Sequence, residues 1–210
     1  MPLKIKICGM RGAENIREAA ILRPDYMGFI YYRKSPRYVG DNFKPVWGPE
    51  MEGVRKTAVF VNEPLESVQE IVNCLQFEAV QLHGEESPAY CGELKQAGME
   101  VLKAFGIAPG FDFRQLEAYE QVADFFLFDA KTSAYGGSGK SFAWEQLMEY
   151  TGSKPFFLSG GLDTDNVKLA VDAAAELPLY ALDLNSRFES APGVKNIQKL
   201  TEAIRLIKQP

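Results

Sequence analysis

One histidine (His83) and three cysteines (Cys8, Cys74, Cys91) are all the imidazole and thiol ligands this 210-residue chain possesses. A zinc centre of histidines is impossible, the cysteine spacing fits no zinc pattern, and three thiols cannot all pair with one another, so no metal site is expected. Nor is there an excess of basic charge: 23 Lys and Arg against 28 Asp and Glu leave a net charge of −5, which argues against a general nucleic-acid binder. No apolar run approaches the ~20 residues that span a bilayer. The opening MPLKIKICGM carries lysines where a secretory signal would need an apolar stretch. These absences point to a reduced, cytoplasmic setting with no nucleic-acid or membrane partner. Low-complexity segments, linkers and charge blocks are missing too, and 46% hydrophobic with 24% charged residues excludes disordered and fibrous classes. One domain over 1–210 is the expectation.

What is present is a recurring pattern. Short β-type runs lie at 3–8, 26–31, 57–61, 79–83, 101–105, 125–129, 156–159 and 180–184, with amphipathic helical stretches such as 66–75, 88–97, 165–174 and 194–207 between them. The runs end at intervals of roughly 22 to 30 residues, room for one helix and two short loops each. Eight such units predict an α/β fold of the (β/α)₈ barrel type with parallel strands, the rival being an open doubly wound sheet. The faces decide between them. Ile5 and Ile7 lie opposite Lys4, Lys6 and Cys8, and Val80 and Leu82 lie opposite Gln81 and His83. Phe126 and Phe128 lie opposite Leu127 and Asp129, and Leu182 and Leu184 opposite Ala181 and Asp183. An open sheet covered on both sides needs two apolar faces. Here one face is apolar and the other turns polar towards its C-terminal end, where barrels carry their chemistry.

The polar groups at those strand ends are Cys8, Asn62, His83, Asp129 and Asp183, with Arg37 in the loop after the second strand. A strand cysteine is most often inert and buried, and that reading suits Cys74 and Cys91. Cys8 differs because Gly9 follows at once and opens a turn, which places the thiol at the rim. Lys6, two residues earlier on the same face, either lowers the thiol pKa or pairs with an interior carboxylate such as Asp183. A lone His83 reads as a hydrogen-bonded rim residue. Asp129, delivered by an apolar run, suits a general acid.

Three polar loops fill the last third. The segment 135–141 ends like a Walker A loop but has Ala134 where that motif needs glycine, and Phe142 breaks the dinucleotide pattern. A flexible loop containing Gly137, Ser138 and Gly139 remains. Gly160 and Gly161 follow the seventh strand, and Asn185 and Ser186 the eighth. Loops in these places bind phosphate in many barrels, so a small phosphorylated substrate is expected. Lys103 leaves a sugar-phosphate aldolase as a different enzymatic reading, and a phosphate-binding scaffold as the non-enzymatic one.

The chain resembles the phosphoribosylanthranilate isomerase family nearly end to end. The resemblance rests on KICGM (6–10), GFIYYRKSPRYV (28–39), VFVN (59–62), VQLHG (80–84), FDA (128–130) with GGSGKSF (136–142), LSGGLDTDNV (158–167) and DLNSRFESAPGVKN (183–196). It implies an Amadori rearrangement in tryptophan biosynthesis, without cofactor or metal, by a monomer or homodimer. It also implies roles: Cys8 as general base, Asp129 as general acid, Arg37 on the anthranilate carboxylate, Asp183 near the anthranilate amine and His83 at the substrate. The three loops just named would hold phosphate. One departure lies in the eighth unit, where Asn185, Arg187 and Phe188 replace a serine, a glycine and a valine of the family's DVSSGVE pattern.

Overall fold

Strands with one apolar and one mixed face can bury both only by closing on themselves, and these do. A computed structural model describes residues 2–45, 47–130 and 146–208. Its strands are β1 (Lys4–Cys8), β2 (Tyr26–Ile30), β3 (Arg55–Phe60), β4 (Ala79–Leu82), β5 (Glu100–Ile107), β6 (Phe125–Ala130), β7 (Phe156–Ser159) and β8 (Leu179–Leu184). They form a closed barrel in chain order, every neighbouring pair parallel, with β8 returning to β1. The closing register sets Lys6 beside Asp183, and on the other edge of β1 Cys8 lies beside Gly28.

The two faces make two cores. Ile5, Ile7, Phe29, Phe60, Leu82, Phe126, Phe128, Phe156 and Leu184 point outward into an apolar layer with the helices. These helices are α1 (Ala13–Ile21), α2 (Leu65–Cys74), α3 (Pro88–Gln96), α4 (Val167–Ala173) and α5 (Ile197–Lys208). Inside the ring, Tyr26, Ala79, Leu102, Leu127, Phe157 and Ala181 form a separate apolar plug. Above it the interior turns polar, with Lys6, Gln81 and Asp183 all nearly or wholly buried. Among the described residues no helix is long and apolar enough to cross a membrane.

The expected strand positions hold to within a few residues, and the irregularities fall between them. A single 3₁₀ turn at Pro49–Met51 follows β2, and a longer 3₁₀ segment, Phe113–Tyr119, follows β5. The last helix starts at Ile197, three residues later than its periodicity suggested. Val194–Lys195 instead forms a strand, β10, paired antiparallel with β9 (Glu189–Ala191). Pro192 and Gly193 make the connecting turn, Gly193 at φ +81°, a conformation that favours glycine after proline. Asn15 of α1 holds this hairpin, accepting from the Lys195 N–H at 2.7 Å and donating to its carbonyl at 3.0 Å. The hairpin thus sits over the C-terminal mouth of the barrel.

Candidate active site

Cys8, Arg37, His83, Asp129 and Asp183 line one cavity of about 420 Å³ at that mouth, and Gly160, Gly161, Asn185 and Ser186 form its far wall. The strand ends bring them together as their alternation required. Gly137, Ser138 and Gly139 lie outside the described residues. Cys8 corrects the sequence reading: only 3% exposed, it lies at the cavity floor rather than at an open rim. Cys74 corrects it in the other direction, being exposed on α2, whereas Cys91 is buried on α3.

The sulfur fits because its neighbour is glycine. A Cβ added to Gly28 would stand 2.6 Å from Cys8 Sγ and 3.2 Å from its Cα. Gly28→Ala is therefore expected to cost about 1–3 kcal/mol through overpacking and to change the accessibility of Cys8. Urea unfolding together with the alkylation rate of Cys8 checks this, and an unchanged midpoint and rate would contradict it. Gly9, at φ +81°, serves the same floor: a Cβ there would stand 2.8 Å from both Arg37 Cδ and Asn185 Oδ1.

Two charged networks meet at Cys8. In the barrel interior Lys6 Nζ donates to Asp183 Oδ2 at 2.7 Å and to Gln81 Oε1 at 2.6 Å. Burial works against the ammonium, but Asp183 and the Cys8 sulfur hold it above its ordinary value. Of the two readings for Lys6, the pairing with Asp183 is the geometry found. Lys6 does favour the thiolate, yet burial and Asp183 outweigh Lys6 and Lys195, so the Cys8 thiol is pushed up. Asp183 Oδ1 is buried with no hydrogen-bond partner among the described residues. A buried acceptor without a donor costs free energy until something supplies one, and Asp183 is among the residues that line the cavity.

The second network lies on the rim. Arg37 donates through Nε and Nη2 to both oxygens of Glu189, at 2.7–3.0 Å. Glu189 also accepts from Lys195 Nζ at 2.7 Å and from the Gly193 N–H at 3.1 Å. Burial works to raise its carboxyl, but Arg37 and Lys195 hold it below the usual range. Lys195 further donates to Asn185 Oδ1 at 2.8 Å. The guanidinium is thus held along one edge, and its Nη1 edge remains for a ligand. Glu189 and Lys195 were not among the residues singled out from sequence. Both belong to the hairpin that the helical pattern concealed. Arg187, the departure in the eighth unit, is exposed on the 3₁₀ turn Ser186–Phe188, while Phe188 is fully buried.

Asp129 accepts from Ser159 Oγ at 3.1 Å, and its Oδ2 lies 3.5 Å from His83 Nε2. Three other polar groups serve the loop after β4 instead. Lys103 is on the outer face of β5, where Nζ contacts Glu86 Oε2 at 3.1 Å and the carbonyls of Leu82, Gly84 and Ala104 at 2.7–3.3 Å. Glu86 accepts in turn from the N–H groups of Asn62 and Gly84. Asn62, at φ +52°, accepts from the Glu85 N–H. An ammonium so engaged, on the face away from the barrel interior, offers no amine to a sugar carbonyl, which removes the aldolase reading.

Comparison with known proteins agrees with this geometry. A family model described as N-(5'phosphoribosyl)anthranilate (PRA) isomerase matches residues 5–205. The N-(5'-phosphoribosyl)anthranilate isomerase of Parabacteroides distasonis is 41% identical over 208 residues, covering 98% of this chain and 94% of that protein. The crystal structure of phosphoribosyl anthranilate isomerase from Thermotoga maritima superposes with a TM-score of 0.81 at 31% identity, covering 98% of each chain. A further structure of such an isomerase, in complex with reduced 1-(o-carboxyphenylamino)-1-deoxyribulose 5-phosphate, has a TM-score of 0.78 at 28% identity and covers 98% of each chain. With a family model spanning nearly its whole length, this chain belongs to the N-(5'-phosphoribosyl)anthranilate isomerase family.

Proposed function

We propose that this chain converts N-(5'-phosphoribosyl)anthranilate to 1-(2-carboxyphenylamino)-1-deoxyribulose 5-phosphate, an Amadori rearrangement in tryptophan biosynthesis, by general acid and base catalysis. Besides family membership, one observation carries the reading: a thiol on β1 and a carboxyl on β6 line the same cavity from well-separated strands. Asp129 gives its proton to the ribose ring oxygen as the bond from that oxygen to sugar carbon one breaks. The anthranilate nitrogen pushes in its lone pair, forming a protonated Schiff base. Ser159, donating to Oδ1, stabilises the carboxylate left behind. The cationic nitrogen acidifies the proton on carbon two, and the Cys8 thiolate removes it to give a neutral enolamine. Loss of the enol proton and gain of one at carbon one complete the ketone.

Asp183 Oδ1, lacking a donor among the described residues, would accept from the anthranilate N–H. The Nη1 edge of Arg37 suits the planar carboxylate. The backbone at Gly160 and Gly161, both with positive φ, and the turn at Asn185 and Ser186 would hold phosphate. The Asn185 amide oxygen is already taken by Lys195, so its contribution would come from other atoms. We propose further that 1–210 acts as one domain in the cytoplasm.

Phosphoribosylanthranilate generated in place from anthranilate and phosphoribosyl pyrophosphate should lose its fluorescence on adding the purified protein. A constant signal would leave only the scaffold reading. Arg37→Ala should raise KM by about 10- to 100-fold, the equivalent of a lost charged hydrogen bond, with kcat within a few-fold. Steady-state kinetics checks this, and a kcat defect at unchanged KM would contradict it.

A further inference from the structure

We infer that Gln81 and His83 are positioning residues that orient a hydrogen-bond donor at Asp129, in a direction set by the buried ammonium of Lys6. The inference rests on the proposed role of Asp129 as general acid. Its basis is a line of side chains across the barrel: Lys6 Nζ hydrogen-bonds to Gln81 Oε1 at 2.6 Å and Gln81 Nε2 to His83 Nδ1 at 2.7 Å, and His83 Nε2 then approaches Asp129 Oδ2 at 3.5 Å, close enough for a donor to close the gap when substrate binds.

Each link has only one possible polarity. An ammonium donates and never accepts, so the atom of Gln81 facing it must be the carbonyl oxygen. The amide nitrogen then faces the ring and donates, because Gln81 is 2% exposed and turning the amide over would set NH₂ against NH₃⁺. His83 Nδ1 must accept, which makes it the unprotonated nitrogen and puts the ring proton on Nε2. Nε2 is the ring nitrogen on the Asp129 side, 3.5 Å from Oδ2. Lys6 is itself fixed from the other side by Asp183, so a charge on the closing strand pair specifies a tautomer across the barrel. The donor keeps the Asp129 carboxyl in one orientation and stabilises the anion formed when its proton passes to the ring oxygen.

Because the chain contains a single histidine, ¹⁵N labelling of histidine reports one ring without ambiguity. The wild-type protein should show a protonated Nε2 and a bare Nδ1. In Gln81→Glu, one carboxylate oxygen stays on Lys6 and the other faces the ring as an acceptor. Nδ1 should then carry a proton, and kcat should fall by about 10- to 100-fold, the scale of a misplaced catalytic group, with KM little changed. His83→Gln, which keeps an N–H donor near the same place, should retain far more activity than His83→Phe, and this pair serves if Gln81→Glu does not fold. A bare Nε2 in the wild type would overturn the inference, as would an unchanged kcat in Gln81→Glu with the tautomer reversed, or equal kcat in the two His83 variants. A wild-type protein without isomerase activity would instead defeat the proposed function, and the tautomer measurement would still report on the hydrogen-bond line.

Discussion

Cys8→Ser is expected to lower kcat by about 10²- to 10⁴-fold, the usual contribution of a positioned acid or base, while KM stays within several-fold. A serine hydroxyl keeps the shape of the site but cannot supply an anion near neutral pH, so the proton on carbon two has no acceptor. The thiol is itself not an easy base. At an ordinary pKa of about 8.5 only roughly 3% is ionised at pH 7, a deficit near 2 kcal/mol. Burial in this cavity increases the deficit, with Lys6 and Lys195 offsetting part of it. Asp129→Asn should show a loss of the same order for the complementary reason, since an amide gives no proton to the ring oxygen. The fluorescence assay with both variants checks the pair. Near-normal turnover in Cys8→Ser would remove the base assignment, and in Asp129→Asn the acid assignment.

Lys6→Met is expected to destabilise the fold by about 3–5 kcal/mol, the cost of leaving one partner of a buried ion pair alone. Asp183 would lose its only hydrogen bond among the described residues, its Oδ1 having none already. Urea unfolding at neutral pH should show the gap to wild type. Lys6→Met with Asp183→Leu should recover much of the stability, since apolar replacement of a buried pair is often neutral or better. A single variant as stable as wild type at neutral pH would contradict this account of the barrel interior.

The barrel was legible because its strands alternate and recur at even spacing. Ile5, Ile7, Phe126 and Phe128 state the outward face, and Lys6, Cys8, Leu127 and Asp129 the inward one. Strand ends then named most of the cavity. The groups that organise it were harder to read. Gln81 sits inside an alternating strand, where a polar residue can face either solvent or a polar interior, and only closure of the ring brings it to Lys6. Glu189 and Lys195 were hidden because the apolar pattern from 194 onward runs straight into that of α5. The Pro192–Gly193 pair was the available signal for the turn between them. The room for Cys8 depends on what Gly28 lacks, a feature visible only once the register pairs them.

The central claim is that one proton is shared between a thiol that must lose it and a carboxyl that must hold it. The active form then persists at a constant level between the two pKa values and disappears above that of the thiol. The pH dependence of Cys8 alkylation, followed by mass at its peptide, gives the thiol titration directly, and kcat/KM is measured over the same range. Both should turn at one pH, above the ordinary value of a thiol because burial pushes Cys8 up, with kcat/KM falling beyond it. A Cys8 that titrates below neutrality, or a kcat/KM that keeps rising through the thiol titration, would contradict the account.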